Sequence, residues 1–241
     1  MKLKQITLLL ILTLLFVLIL TLLFGANASG ESRVKFGDSY MLLPEVEGLC
    51  LLGNHPNEKI AFEYFSELQS AAGNKLLQFW VDCKAQKEIK DSSIITNLKE
   101  WVLVLGQMSA QKEETFPKYD PEKYKKSIKA AWKDLDIHHI QEQVNNLTKN
   151  QSKKYLDNLD LHFQMSDTIN LGILSETDSV HTGVIMKVEG SNKPVAVVTG
   201  VNLIKGIPMT FNFYSSYENK DTIRRLLLDS EHYSAKLINM N

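Results

Sequence analysis

Two stretches decide the fold: Ser179-Val-His-Thr-Gly-Val-Ile-Met-Lys-Val188, and Val195-Ala-Val-Val-Thr-Gly-Val-Asn-Leu-Ile-Lys-Gly-Ile-Pro-Met-Thr-Phe-Asn-Phe-Tyr214. In the first, Val180, Thr182, Val184, Met186 and Val188 alternate with His181, Gly183, Ile185 and Lys187, the period of a half-buried strand. The second is β-branched from Val195 to Ile204 and turns at Lys205-Gly206. Met209, Phe211 and Phe213 then alternate with Thr210, Asn212 and Tyr214. Connections this short, with a loop at 189–193, specify an antiparallel meander.

Beyond Tyr217 the period changes. Ile223, Leu226, Leu227, Tyr233, Leu237 and Ile238 fall at helical spacing, while Arg224, Arg225, Glu231 and Lys236 are left to face water. Asn219 or Asp221 caps this helix. A sheet with one apolar face followed by a helix with one apolar stripe packs the helix over that face. The expectation is therefore an α+β fold, with everything upstream completing one two-layer core.

The chain has 241 residues, a formal net charge of −1 and 44% hydrophobic residues, which suits one globular domain once the N-terminal segment is set aside. So neutral a charge leaves no global nucleic-acid footprint, and no nucleic-acid partner is expected. Lys2 and Lys4 precede an uncharged Leu/Ile/Val/Phe/Thr run from Ile6 to Phe24, and Ala26-Asn27-Ala28 follows as an A-x-A cleavage site before Ser29. Two outcomes fit this export signal: cleavage after Ala28, or retention of residues 6–24 as a membrane anchor, since the run just reaches spanning length. Either places residues 29–241 outside the cytoplasm, as a periplasmic, inner-membrane-anchored or secreted domain. In such a compartment the two cysteines, Cys50 and Cys83, are expected to form a disulfide, the alternative being two buried thiols.

Upstream of the meander, Val34 to Leu43 and Val46 to Leu52 read as a strand pair broken at Pro44-Glu45. Asn54 or His55 caps a helix with Pro56 in its first turn, Ile60, Tyr64, Leu68 and Ala71 as its stripe, and Gly73 at its end. Lys75 to Cys83 and Trp101 to Ser109 read as strands, joined by a charged connection from Lys84 to Lys99, with or without a helical turn. Asp120-Pro121-Glu122 starts a helix with Tyr124, Ile128, Ala131, Trp132 and Leu135 inward, and Lys123, Lys125, Lys126, Lys129 and Lys133 on its remaining surface. Asp136 caps another, with Ile137, Ile140, Val144 and Leu147 inward.

The chain contains no G-x-S-x-G elbow, P-loop, G-x-G-x-x-G cradle or H-E-x-x-H helix. His138, His139 and Glu142 supply at most two metal ligands from one helix face, short of the three or four a site needs. The lysine face of residues 123–133 reads either as a solvated surface or as a site for an anionic lipid, glycan or nucleic acid. Tyr214, Tyr217 and Phe213 read either as core or as the lining of a groove beside the last strand.

Gly48-Leu49-Cys50, Ala72-Gly73-Asn74, Asp82-Cys83, Val197 to Val201, Lys205-Gly206, Tyr214 to Tyr217 and Asn241 together resemble a family of uncharacterised exported proteobacterial proteins, although Leu49 stands where that family has an aromatic residue. The order of elements is also similar to exported α+β folds of the PsbP/DcrB/Mog1 type. Neither resemblance implies a catalytic residue, cofactor or metal. The function expected is a non-catalytic binding or accessory module of the cell envelope, with an envelope protein or a small ligand as partner. The alternatives are a hydrolase with a dispersed active site, and a secreted factor acting on a host or neighbouring cell.

Overall fold

The computed structural model describes residues 32–37, 39–92, 98–108, 120–155, 165–188 and 192–241. The apolar run 6–24 and the cleavage residues Ala26, Ala28 and Ser29 lie outside them. Residues Arg33–Asn241 form one compact unit of α+β architecture.

The hairpin read from Val195 to Tyr214 sits at the centre. Strands β8 (Val195–Ile204) and β9 (Ile207–Ser216) pair from Val195↔Ser216 to Ile204↔Ile207, leaving Lys205-Gly206 as a two-residue loop. Both loop residues have positive φ, 53° and 81°, the geometry whose twist matches that of the flanking strands. Strand β7 (Val180–Val188) pairs with β8, and β6 (Met165–Glu176) closes that edge. On the other side β9 pairs with β5 (Glu100–Gln107), β5 with β4 (Asn74–Asp82), and β4 with the short β3 (Leu49–Leu51). The result is one seven-stranded sheet in the order β3-β4-β5-β9-β8-β7-β6, with every neighbouring pair antiparallel.

The sheet is covered on both faces, which corrects the two-layer expectation. One core joins Val102, Val104, Ala196, Val198, Phe211 and Phe213 to Leu226, Tyr233 and Leu237 of the last helix, α5 (Lys220–Asn239). The other joins Phe79, Val81, Trp101, Leu103, Leu105 and Val197 to α1 (Pro56–Ala71) and α2 (Cys83–Ser92) through Ala61, Tyr64, Phe65, Ala85 and Ile89. Helices α3 (Pro121–Lys133) and α4 (Ile137–Tyr155) pack against β6. Strands β4 and β5 are apolar at consecutive positions because both their faces are buried.

Local chemistry explains the element ends. His55 caps α1 by accepting from the Asn57 N–H, and Glu58 reaches back to the His55 N–H, so two otherwise orphaned donors are satisfied reciprocally. Asp120 caps α3 through the Lys123 N–H, and Asn219 caps α5 through the Asp221 N–H. The α1 stripe is rotated from the expected one: Ala61, Tyr64 and Phe65 are buried, while Ile60 and Leu68 are half-buried.

Two further expectations are corrected, and one strand is added to those read from the sequence. The first part of the segment 84–99 belongs to the ten-residue helix that starts at Cys83, since Asp82 accepts from the Ala85 N–H and Ala85 and Ile89, one turn apart, are buried. The N-terminal strands break near Gly37 as well as at Pro44: β1 (Ser32–Phe36) and β2 (Ser39–Leu43) form a separate two-stranded sheet whose Phe36, Met41 and Leu43 enter the α5-side core. The added strand is β6, which pairs over its whole length with β7, with register shifts and a positive φ at Asp167.

Candidate ligand-binding cleft

The connection from β2 to β3 turns at Val46, where the Leu49 N–H donates to the Val46 carbonyl, and this presents Glu45 and Glu47 to solvent. Opposite them, Arg225, Asp229, His232 and Lys236 follow one another at the spacing of a single α5 face. The two walls enclose a cleft of about 290 Å³, with Phe213 and Tyr233 also lining it and Glu100, at the start of β5, at one end.

Arg225 organises that end. Its Nη1 pairs with Glu100 Oε1 and stands 3.4 Å from Asp229 Oδ2, while Nη2 donates to Ser215 Oγ at 3.1 Å. The Asp229 carboxyl is held above the usual carboxylate range: the cleft wall removes water from it and Glu100 and Glu47 add negative charge, against the pull of Arg225 and His232. Tyr233 is 3% exposed, and its hydroxyl has no hydrogen-bond partner among the described residues. Burial pushes its phenol well above the ordinary value, so it is a neutral donor.

Glu100 and Arg225 also line a second, broader groove of about 1070 Å³. Its charges are largely paired within the protein: Lys193 Nζ meets Glu218 Oε1 at 2.8 Å, which lowers the Glu218 pKa, and Lys84 lies 3.8 Å from Glu88. Between its lining residues Asp82 and Lys84 comes Cys83, whose Sγ is 1.95 Å from that of Cys50, with the Cα atoms 5.0 Å apart. The disulfide expected from the sequence is therefore seen, and it ties β3 to the start of α2.

The remaining sequence candidates scatter. His138 and His139 are exposed at the start of α4, where both N–H groups donate to Asp136 Oδ1, and no three His, Cys, Asp or Glu side chains converge as a metal set among the described residues. Phe213 belongs to the core beside α5, and Tyr214 stacks on Trp101 at 4.7 Å on the opposite face, so the two do not share a groove. Among the described residues no helix is long and apolar enough to cross a membrane.

A second polar group lies beneath α5. His181 Nδ1 and Ser230 Oγ are 3.0 Å apart, Ser179 Oγ bonds Ser234 Oγ, and Asn202 Nδ2 reaches Ser234 Oγ at 3.5 Å. His181, Ser179 and Ser230 have no exposed surface, so these contacts hold α5 on the sheet rather than meet solvent. The cleft residues themselves carried no local signal. Arg225 and Lys236 read as ordinary solvent-facing charges, and Tyr233 read as one more apolar position of the α5 stripe. The chain matches no protein-family model, and no curated protein matches it.

Proposed function

We propose that this chain is an exported, non-catalytic binding module of the bacterial cell envelope, and that the cleft between the β2–β3 connection and α5 holds a small polar ligand. The observation that carries the reading is the Tyr233 hydroxyl: it is buried beside the cleft without a partner among the described residues, and the surrounding walls bear charges of both signs. A buried donor left unsatisfied costs about 1–3 kcal/mol. A ligand whose acceptor reaches it as the lining side chains part recovers that cost, while Glu45, Glu47, His232 and Lys236 at the walls suit a molecule with polar groups of either charge. Export is supported by Lys2 and Lys4 ahead of the apolar run 6–24, by the A-x-A site at Ala26 to Ala28, and by a disulfide that suits an oxidising compartment.

The test is thermal-shift screening of the purified chain against amino acids, short peptides, sugars and dicarboxylates, repeated on Tyr233→Phe. In the unliganded protein Y233F is expected to be neutral or slightly stabilising, because it deletes an unsatisfied group, and to weaken the ligand found by roughly tenfold. Unchanged affinity in Y233F removes the phenol from the site, and a screen with no stabilising compound counts against the module. Intact mass from membrane and soluble envelope fractions tests export: a species beginning at Ser29 or an anchored species retaining Met1 both fit, and a cytoplasmic species does not.

One observation favours a hydrolase as the second reading. Asp229, with its raised pKa, shares the cleft with Glu100 and His232, an arrangement suited to acid–base chemistry. Turnover of a bound ligand, abolished in Asp229→Asn, would distinguish it from simple binding.

A further inference from the structure

The five lysines of α3 divide into two sets. Lys125 Nζ binds Glu122 at 2.7 Å and donates to the Thr177 carbonyl at 3.2 Å, and Lys129 Nζ binds Glu176 at 2.8 Å, so these two close the helix onto its own first turn and onto β6 and the turn after it. Lys123, Lys126 and Lys133 are exposed and have no acidic partner among the described residues. At about 100° per residue they fall within about 80° of one another, on a surface that Glu122, paired with Lys125, and Asp134 border. The helix that carries them has no fully buried residue; Tyr124, Ile128, Trp132 and Leu135 are half-buried, and Trp132 Nε1 donates to Asn170 Oδ1 at 3.1 Å.

This charge is segregated along the chain. Residues 121–155 hold eight lysines against four acidic residues, a net +4 in a protein whose total is −1, so the rest of the chain is −5. A cationic segment in an otherwise acidic chain attracts anions locally. The chain's own apolar run at 6–24 brings it to a bilayer during export, whether or not it is cleaved. We infer that the α3 face bearing Lys123, Lys126 and Lys133 docks on an anionic phospholipid surface. Lipid phosphates complement the three unpaired ammonium groups, and the inward pairing of Lys125 and Lys129 fixes the orientation of the stripe. The inference rests on the export reading and not on the cleft.

The full chain, reconstituted in vesicles of phosphatidylcholine alone or mixed with phosphatidylglycerol, is footprinted by lysine acetylation and mass spectrometry. Anionic vesicles are expected to protect Lys123, Lys126 and Lys133 by about fivefold each relative to neutral vesicles. The protection should disappear near about 1 M salt, while Lys84 and Lys193 label equally in both lipids. In K123Q/K126Q/K133Q the lipid-dependent slowing of amide exchange across α3 should also disappear. Equal labelling of the three lysines in the two lipids overturns the inference, as does lipid-dependent exchange that persists in the triple variant. Protection by a short DNA duplex but not by anionic vesicles overturns it too and reassigns the stripe to nucleic acid. Because both vesicle types are prepared from the purified chain, failure here leaves the localisation measurement to judge export independently.

Discussion

Replacing both cysteines, Cys50→Ser with Cys83→Ser, isolates the disulfide because little else changes at those positions. Cys83 is exposed and Cys50 half-buried, so lost packing accounts for less than about 1 kcal/mol. The bridge spans 33 positions, enclosing α1 and β4, and constraining a loop of that length in the unfolded chain is worth about 3.8 kcal/mol in the loop-entropy model. The double variant should therefore lose about 3–4 kcal/mol, roughly 6–16 °C in Tm for a domain of this size. Urea denaturation followed by tryptophan fluorescence measures it, since Trp80 and Trp101 are buried on opposite faces of the sheet and report global unfolding. A loss below about 1 kcal/mol would refute the entropic reasoning. So would faster amide exchange confined to Leu49–Leu51 with an unchanged midpoint, because the bridge would then secure an edge strand and not the fold.

Three other perturbations probe the α5 side of the sheet. A Cβ at Gly200 would lie 1.9 Å from Phe211 Cε2, so Gly200→Ala should cost about 1–3 kcal/mol or more in a denaturation experiment, and an unchanged midpoint would show that the ring moves freely. Burial holds the His181 imidazole below its ordinary pKa, against the pull of Glu231, so the unfolded chain takes up that proton first as the pH falls. Its contribution to stability is therefore present above the unfolded value of about 6.5 and is lost as the pH drops from there through the lower folded value. His181→Phe should flatten the fall in midpoint over that range, and an identical slope in both proteins excludes His181 as its source. The Asn241 side chain accepts from the Leu42 N–H and donates to the Leu42 and Leu237 carbonyls, so Asn241→Ala should cost about 1–3 kcal/mol and speed exchange in β2.

What could be read from the sequence was what neighbouring residues decide. The Val195–Tyr214 hairpin announced itself by alternation and by Lys205-Gly206, and α1 and α3 by Pro56 and Pro121 beside capping residues. The double-sided core was also written there, in the unbroken apolar runs Leu76–Leu77 and Phe79–Val81 and Trp101–Leu105, but a short apolar run does not reveal what covers it. Strand β6 escaped because it is a half-exposed edge in which Asp167 adopts positive φ and the register slips, which erases alternation. Helix α2 escaped because, among its described side chains, only Ala85 and Ile89 are buried among the charges.

The cleft was illegible for a different reason: its two walls come from residues 45–49 and 225–236, nearly the length of the domain apart, and neither has a motif. Its existence depends on how the ends of the domain are tied. The wall Glu45–Leu49 follows β2, which Asn241 grips at Leu42, and precedes Cys50, which the disulfide holds to Cys83. A connection clamped at both ends loses little further entropy when a ligand settles against it, so much of the ordering cost of binding is met in folding. That ties stability to recognition. Cutting either tether should weaken cleft binding in the folded protein as well as lower the midpoint, and a tether variant that lowers the midpoint with unchanged affinity would uncouple the two.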